Sequence, residues 1–400
     1  MRLARRIEGV QESVTLALAA RARALKAKGV EVVSFTAGEP DFDTPEVAKA
    51  AARAAIDRGD TKYTPAGGTP DLKAAVCEKL KRDQGLEYRP DEVLVSCGAK
   101  HSLYNLFQVL LDPGDEAIIP APYWLSYPEM ARLAEARSVL VETLEDEGWR
   151  LSPRALAEAI GPRTRVLVLN SPSNPTGALL DRADLEAIAD VVRRHPDVTV
   201  ISDEIYEKLV YGEARHESIA TLPGLRERTI VVNGASKAFA MTGWRIGYAA
   251  GPAPAIDAAM RLQSHSTSNP ASIAQAAAAR ALRAGDEIVA PMREAFDARR
   301  RLMCERLRRL PGCTLVEPRG AFYAFLGIGG LIGRRAGPSG LPVEGAASFC
   351  DAALEGANVL MVPGEAFGSP RHVRLSYATA TAEIERGLDR LEQWFRTAFR

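Results

Sequence analysis

The chain has 400 residues, 46% of them hydrophobic, and its 51 basic and 51 acidic side chains cancel to a formal net charge of zero. That balance removes the electrostatic reason to expect nucleic acid or a bulk membrane surface as a partner, and no apolar run approaches the roughly 20 residues a membrane span needs. A chain of this length buries a large core and is expected to divide into two or three domains.

The five cysteines (Cys77, Cys97, Cys304, Cys313, Cys350) form neither a C-x-x-C pair nor an evident disulfide framework, which fits a reducing cytoplasm. At the N-terminus a basic M-R-L-A-R-R precedes an apolar S-V-T-L-A-L-A-A, superficially like a secretory leader. The apolar core is only about eight residues long. Arg21, Arg23 and Lys26 follow it at once, and Glu8 and Glu12 precede it. An amphipathic helix over residues 13–28, ended by Gly29, is the better reading, followed by a strand over 30–35. In T-A-G-E-P-D-F-D-T-P, Gly38 permits a close backbone approach, and Pro40 and Pro45 bracket a turn. A helix over 45–58 starts at that second proline. Tyr63 lies in the Gly/Pro-rich loop that follows, T-K-Y-T-P-A-G-G-T-P-D.

Residues 91–96 read as a strand, and Gly98, Ala99 and Lys100 open an amphipathic helix directly after it. A glycine there leaves helix N–H groups free for a phosphate, although strand–Gly–helix is common in α/β folds and water serves such a terminus too. The strand over 116–120 leads into an aromatic loop. Its Trp124 is either a partly buried surface residue or a platform for a flat ring at a strand's carboxyl end. Residues 164–169 are continuous aliphatics followed by N-S-P-S-N-P-T-G, where two prolines and a glycine force an irregular loop around Asn174. Asn174 is a structural turn residue or a polar group offered to a site. The strand over 198–202 ends at Asp203, a carboxylate that needs a positive partner to stay ionised at the end of a strand buried on both faces. Tyr206 is three residues on, and Glu204 is expected to point elsewhere.

The stretch T-I-V-V-N-G-A-S-K-A-F-A-M-T-G-W-R-I-G organises the rest. A short β-branched run breaks at Asn233-Gly234 and presents Lys237 directly after Ser236, with Arg245 eight residues further on. An ammonium just past a buried strand is costly unless it is paired or bonded to a carbonyl. A desolvated lysine beside a second cation has a lowered pKa and becomes a Schiff-base nucleophile, and Arg245 also suits a phosphate. A solvated loop carrying both cations is the bland alternative. Beyond it come a strand I-G-Y-A-A-G, a helix from 252, and a long helix over about 290–310. A strand over 321–326 leads into G-I-G-G-L-I-G, which fails the dinucleotide fingerprint because Ile332 occupies the third glycine position, and so reads as a loop. His265, alone in a Ser-rich turn, is left out of the site. In H-V-R-L-S-Y-A, period two puts His372, Arg374 and Ser376 on one face. An inward arginine needs an anion, and Arg371 falls on the opposite face.

S-K-A-F-A-M-T-G-W-R resembles the pyridoxal-phosphate lysine signature of class I aminotransferases, within fold type I of the PLP enzymes. The G-E-P-D-F, Y-x-x-x-x-G and S-P-S-N-P-T-G segments resemble the same family and stand in its order along nearly the whole chain. The resemblance implies an α/β architecture with a large PLP-binding domain (45–290), built on a mainly parallel sheet flanked by helices. A smaller α+β domain would comprise 1–44 and 291–400. It implies that Lys237 forms the Schiff base and shuttles the proton, and that Arg245, Ser236, Gly98, Ala99 and Lys100 hold the cofactor's phosphate end. Trp124 would stack on the pyridine ring, Asp203 would pair with its nitrogen, and Tyr206 and Asn174 would bond its phenolic oxygen. Gly38 and Arg374 would hold the substrate carboxylate, with Trp124 and Asn174 beside it. Tyr63 would reach the neighbouring subunit's cofactor, so a homodimer with shared active sites is expected.

The implied reaction is a two-step transamination between L-aspartate and 2-oxoglutarate, with Lys100 and Ser13 on the distal carboxylate. Glu12 sits where members that accept prephenate tend to carry a basic residue, so prephenate ranks lower. Aromatic or alanine transamination and a PLP lyase or synthase on the same scaffold are the alternatives. A purely binding protein would have no need of a Schiff-base lysine. No winged-helix segment precedes the motifs, which argues against the related transcription regulators.

Overall fold

The computed structural model describes residues 2–336 and 340–399. Its centre is a seven-stranded sheet: β1 (Val93–Ser96), β2 (Glu116–Ala121), β3 (Arg137–Glu142), β4 (Thr164–Asn170), β5 (Thr199–Asp203), β6 (Thr229–Gly234) and β7 (Gly247–Ala250). The spatial order is β1-β7-β6-β5-β4-β2-β3. Only β7 runs antiparallel to its neighbours; the remaining pairs are parallel. The uninterrupted aliphatic runs explain this arrangement, because a parallel sheet carries helices on both faces and needs apolar side chains on both. In β4, Val166 and Val168 enter one cluster with Ile119, Ile201 and Ile230. Leu167 and Leu169 enter another with Ile118, Val200 and, from the helix Arg182–Arg193, Leu185 and Ile188. The doubly covered sheet expected from the sequence is therefore present, with strand ends moved by one or two residues.

A second sheet is antiparallel, in the order Val362–Pro363, His372–Ser376, Tyr323–Gly327, Thr314–Leu315. Its helices are Ala290–Leu307, Ala346–Ala357 and Thr381–Ala398. The glycine-rich stretch after Gly327 is a single 3-10 turn, Gly329–Leu331; residues 337–339 lie outside the described residues. The N-terminal part joins this second layer. Val33–Ser34 pairs in parallel with Val359–Leu360, so the strand expected over 30–35 shrinks to the length its short partner can match.

The first helix, Val14–Ala27, departs from expectation. None of its residues is buried, and Leu16 is 63% exposed, so it has no core-facing stripe within this chain. Only partly buried Leu18 packs against a small cluster containing Trp149, Phe325 and Phe367. Its apolar side chains therefore stand open on the surface of the chain.

Candidate active site

Four parallel strands deliver their carboxyl ends to one cavity of about 620 Å³. β2 runs out towards Trp124, β4 towards Asn174, β5 ends in Asp203, and β6 is followed by Ser236 and Lys237. This is where open α/β sheets place ligands, since the loops leaving successive strands diverge there. Gly38, Ala99, Lys100, Trp124, Asn174, Asp203, Tyr206, Ser236, Lys237, Arg245 and Arg374 all line the cavity, although they come from stretches more than 300 residues apart.

Lys237 donates from Nζ to the Gly38 carbonyl. Part of its side chain faces the cavity, yet burial pulls its pKa down to about 8, with Arg245 and Arg374 acting in the same direction and Glu39 and Asp203 opposing. A fair fraction of the amine is thus neutral and nucleophilic near neutral pH.

Asp203 is 4% exposed and accepts a 2.6 Å bond from the Tyr127 hydroxyl on Oδ2 and a 3.3 Å bond from the Ile205 N–H on Oδ1. Burial still outweighs both bonds and raises its pKa to about 6. No cation pairs with it among the described residues, so the carboxylate is held at a cost. Asp203→Asn is therefore expected to stabilise the ligand-free protein. The native pKa lies about two units above the ordinary 3.8. The wild type thus forgoes about 3 kcal/mol above pH 6 that it recovers as the pH falls towards 4 and the group protonates. Urea unfolding at pH 7.5 and 4.5 checks this: the variant's advantage should shrink from about 3 kcal/mol at the higher pH to about 1 kcal/mol at the lower, which still lies above the unfolded group's 3.8. Equal stability at both would mean that the carboxylate carries no such burden.

The helix Ala99–Leu110 has no side-chain cap at its N-terminus, where Gly98 takes φ 88°. Arg245, itself left-handed at φ 56°, bonds to the Thr242 carbonyl at 2.9 Å and approaches Gly98 so closely that a Cβ there would lie 2.4 Å from its Nη2. Only glycine fits between them. Open N–H groups, a helix dipole and a guanidinium at one corner make a positively polarised seat of the kind that suits an anion such as a phosphate.

Arg374 is 1% exposed. Nη1 donates to Asn174 Oδ1 at 2.8 Å and Nη2 to the Thr36 carbonyl at 3.3 Å, while Nε is buried without a partner. No carboxylate of the described residues pairs with it, and burial lowers its pKa from the usual arginine range. A buried guanidinium without a counter-ion, opening into a cavity, is suited to receive an anion such as a carboxylate. As the period-two reading required, Arg371 is exposed and outside the cavity. Glu204 likewise turns away, into a buried group with Ser202, His216 and Ser218.

Three expected residues do not line the cavity: Gly98, which packs against the Arg245 guanidinium, Ser13 and Tyr63. Ser13 precedes the first helix and bonds Thr15 at 3.0 Å, and it is Thr15 and Leu16 that face the cavity. The helix starts one residue later than expected and turns its serine aside. Tyr63 is 92% exposed and makes no contribution within this chain. Lys100 is on the lining, its Nζ 4.9 Å over the Trp124 ring, with its pKa lowered by burial and by Arg245. His265 merely ends the helix Ala253–Ser264.

Sequence reasoning missed Tyr127, Tyr323, Asn170 and Thr36. Asn170 fixes the loop after β4 by accepting from the Asn174 N–H at 2.9 Å and donating to the Asp203 carbonyl at 2.9 Å. Tyr323 was detectable in principle. Phe325 faces Arg374 across the antiparallel ladder, and Tyr323, two residues away, shares that face. Finding it required the strand register, which a single sequence does not supply.

A desolvated lysine, a buried aspartate without a cation, an uncapped helix N-terminus beside an arginine and a buried guanidinium without a counter-ion thus meet around one cavity, a set suited to amino-acid chemistry. The chain belongs to the class I and II aminotransferases, whose family model matches residues 30–391. It is 49% identical over 395 residues to the aspartate aminotransferase of Geobacillus stearothermophilus, covering 98% of this chain and 99% of that protein. Similarity to the aspartate/prephenate aminotransferase of Cereibacter sphaeroides is 48% identity, covering 96% of each. The crystal structure of the Rhizobium meliloti aspartate aminotransferase matches with a TM-score of 0.96 at 45% identity over 100% of both chains. The α/β aminotransferase architecture and the enzyme class expected from the sequence are both borne out.

Proposed function

We propose that this aminotransferase moves the amino group between L-aspartate and 2-oxoglutarate with pyridoxal phosphate as its cofactor. The observation that carries the reading is the pairing, in one cavity, of Lys237 at a pKa of about 8 with the unpaired guanidinium of Arg374. The residues present fit the cofactor. The Gly98–Arg245 corner with Ala99, Lys100 and Ser236 suits its phosphate, and Trp124 offers an aromatic face for its ring. Asp203, buried and lacking a cation, suits its protonated ring nitrogen, while Tyr206 and Asn174 suit its phenolic oxygen. When bound, the cofactor supplies an aldehyde for amine exchange and a ring that draws electron density from the substrate's Cα. Lys237 would hold it covalently, and once displaced by the substrate amine its free amine would be the group placed to take the proton from the substrate's Cα. Arg374 grips the α-carboxylate and fixes which bond at Cα is broken.

Charge supports a dicarboxylic substrate. With Arg374, Arg245 and Lys237 engaged, the side chains of Lys100 and Arg23 remain as cations on the lining; we assign the Lys100 ammonium to the distal carboxylate and its backbone N–H to the phosphate end, with Ser13 acting at one remove, through Thr15. The substrates named for the relatives point the same way. L-Aspartate added to the PLP-loaded protein without any keto acid should release about one oxaloacetate per site, faster than phenylalanine or alanine releases its own keto acid. Release only from the latter two would change the specificity, and no release from any would favour a PLP lyase.

Tyr63 and the uncovered first helix support a homodimer in which Tyr63 completes the partner's site. Sedimentation should give twice the 43.1 kDa of the chain; a monomer that retains full activity would refute the shared site. We also read residues 45–290 as the cofactor domain, and 1–44 with 291–400 as a second, smaller domain. No helix among the described residues is long and apolar enough to cross a membrane, and we place the protein in the cytoplasm.

A further inference from the structure

Tyr323 has no role in the chemistry above, yet it touches both ends of it. Its hydroxyl lies 2.9 Å from that of Tyr206, and the Arg374 guanidinium sits 4.3 Å from the centre of its ring. It is 1% exposed, lines the cavity and shares the strand face of Arg374. We propose that Tyr323 is a positioning residue that joins the cofactor's phenolic end to the carboxylate clamp: its hydroxyl donates to the Tyr206 oxygen, and its ring carries the Arg374 guanidinium. The inference rests on the cofactor reading given above.

Proton counting supports the direction of the hydrogen bond. A phenol has one proton to donate. Tyr206 and Tyr323 share a single contact, so whichever donates across it has none left for a third partner. If Tyr206 is to bond the cofactor's phenolic oxygen as a donor, Tyr323 must be the donor between the two. Burial raises the pKa of both phenols, and for Tyr323 the charge of Arg374 opposes it most directly, which favours Tyr323 as the donor. A donor chain of this kind polarises each successive bond. The ring serves a separate end. Arg374 spends Nη1 and Nη2 on Asn174 and Thr36, and its flat face rests against Tyr323, with Phe367 at 4.9 Å. A desolvated cation–π contact fixes the plane in which the guanidinium meets a carboxylate.

Two substitutions separate the two roles. Tyr323→Phe keeps the ring and its packing and removes only the hydroxyl. Asp203, Lys237, Arg374, Glu39, Arg245, Lys100 and Arg23, the charged groups that also line the cavity, are left in place. In the PLP-loaded variant the pH midpoint of the cofactor's visible absorbance should rise by about half to one unit, the equivalent of one net hydrogen bond, because the phenolic oxygen becomes more basic. For the same reason kcat should fall about two- to tenfold, with the KM for L-aspartate within about twofold of wild type. Tyr323→Leu should in addition raise that KM about five- to thirtyfold, the loss of one desolvated cation–π contact. A Tyr323→Phe midpoint equal to or below that of wild type, or the same KM in both variants, would overturn the inference. A wild-type protein that binds no PLP would instead overturn the function proposed above, and this inference with it.

Discussion

Lys237→Ala should lose at least about 10⁴-fold in transamination, since one substitution removes both the covalent anchor and the general acid–base at Cα. Its fold should survive, because the ammonium has no carboxylate partner among the described residues and donates only to the Gly38 carbonyl. The cavity would still offer the Gly98–Arg245 cradle and Asp203, so PLP should bind but not covalently. Borohydride reduction followed by mass measurement decides the matter: wild type should carry the cofactor's mass on the Lys237 peptide, and the variant should carry none. An adduct that persists in the variant would move the reactive amine to another lysine. Lys100, the other lysine on the lining, would be the first to test.

Arg374→Ala should cost about 2–5 kcal/mol of transition-state binding, the usual loss when one partner of a buried charge pair is truncated. That corresponds to a fall in kcat/KM of roughly 30- to 5,000-fold. Stability should move differently. In the ligand-free protein the guanidinium is buried without a counter-ion and its Nε has no partner. Removing it relieves a desolvation cost while leaving Asn174 and the Thr36 carbonyl each short of one donor. The thermal midpoint should therefore stay near that of wild type while activity collapses. Joint loss of activity and stability would mean that Arg374 is a structural residue. Near-normal kcat/KM would mean that the α-carboxylate binds elsewhere.

The two substitutions act on residues whose visibility in the sequence differed in kind. Lys237 stands in a motif, and its chemistry follows from local facts: a buried strand, a break, then an amine where an amine is expensive. Asp203 is similar, as a carboxylate at the end of an aliphatic run. For Arg374 the strand period gave the face correctly, and the family resemblance supplied the role. Ser13 shows the limit of this reasoning. A shift of one residue in a helix start swings a side chain by about 100°, and no local signal separates a serine that faces a site from one that bonds its own helix end.

Aliphatic runs, glycine and proline positions and the order of motifs along the chain determined by themselves the doubly covered parallel sheet, the identity of its loops and the chemical type of the site. These are local properties, written in neighbouring residues. The tertiary structure alone decided that Tyr127 supports Asp203, that Tyr323 bridges Tyr206 and Arg374, and that the first helix has no core face. Tyr127 and Asp203 are 76 residues apart, and Tyr206 and Tyr323 are 117 apart. Such contacts depend on strand register and on the packing of one layer against another, which arise only when distant segments meet.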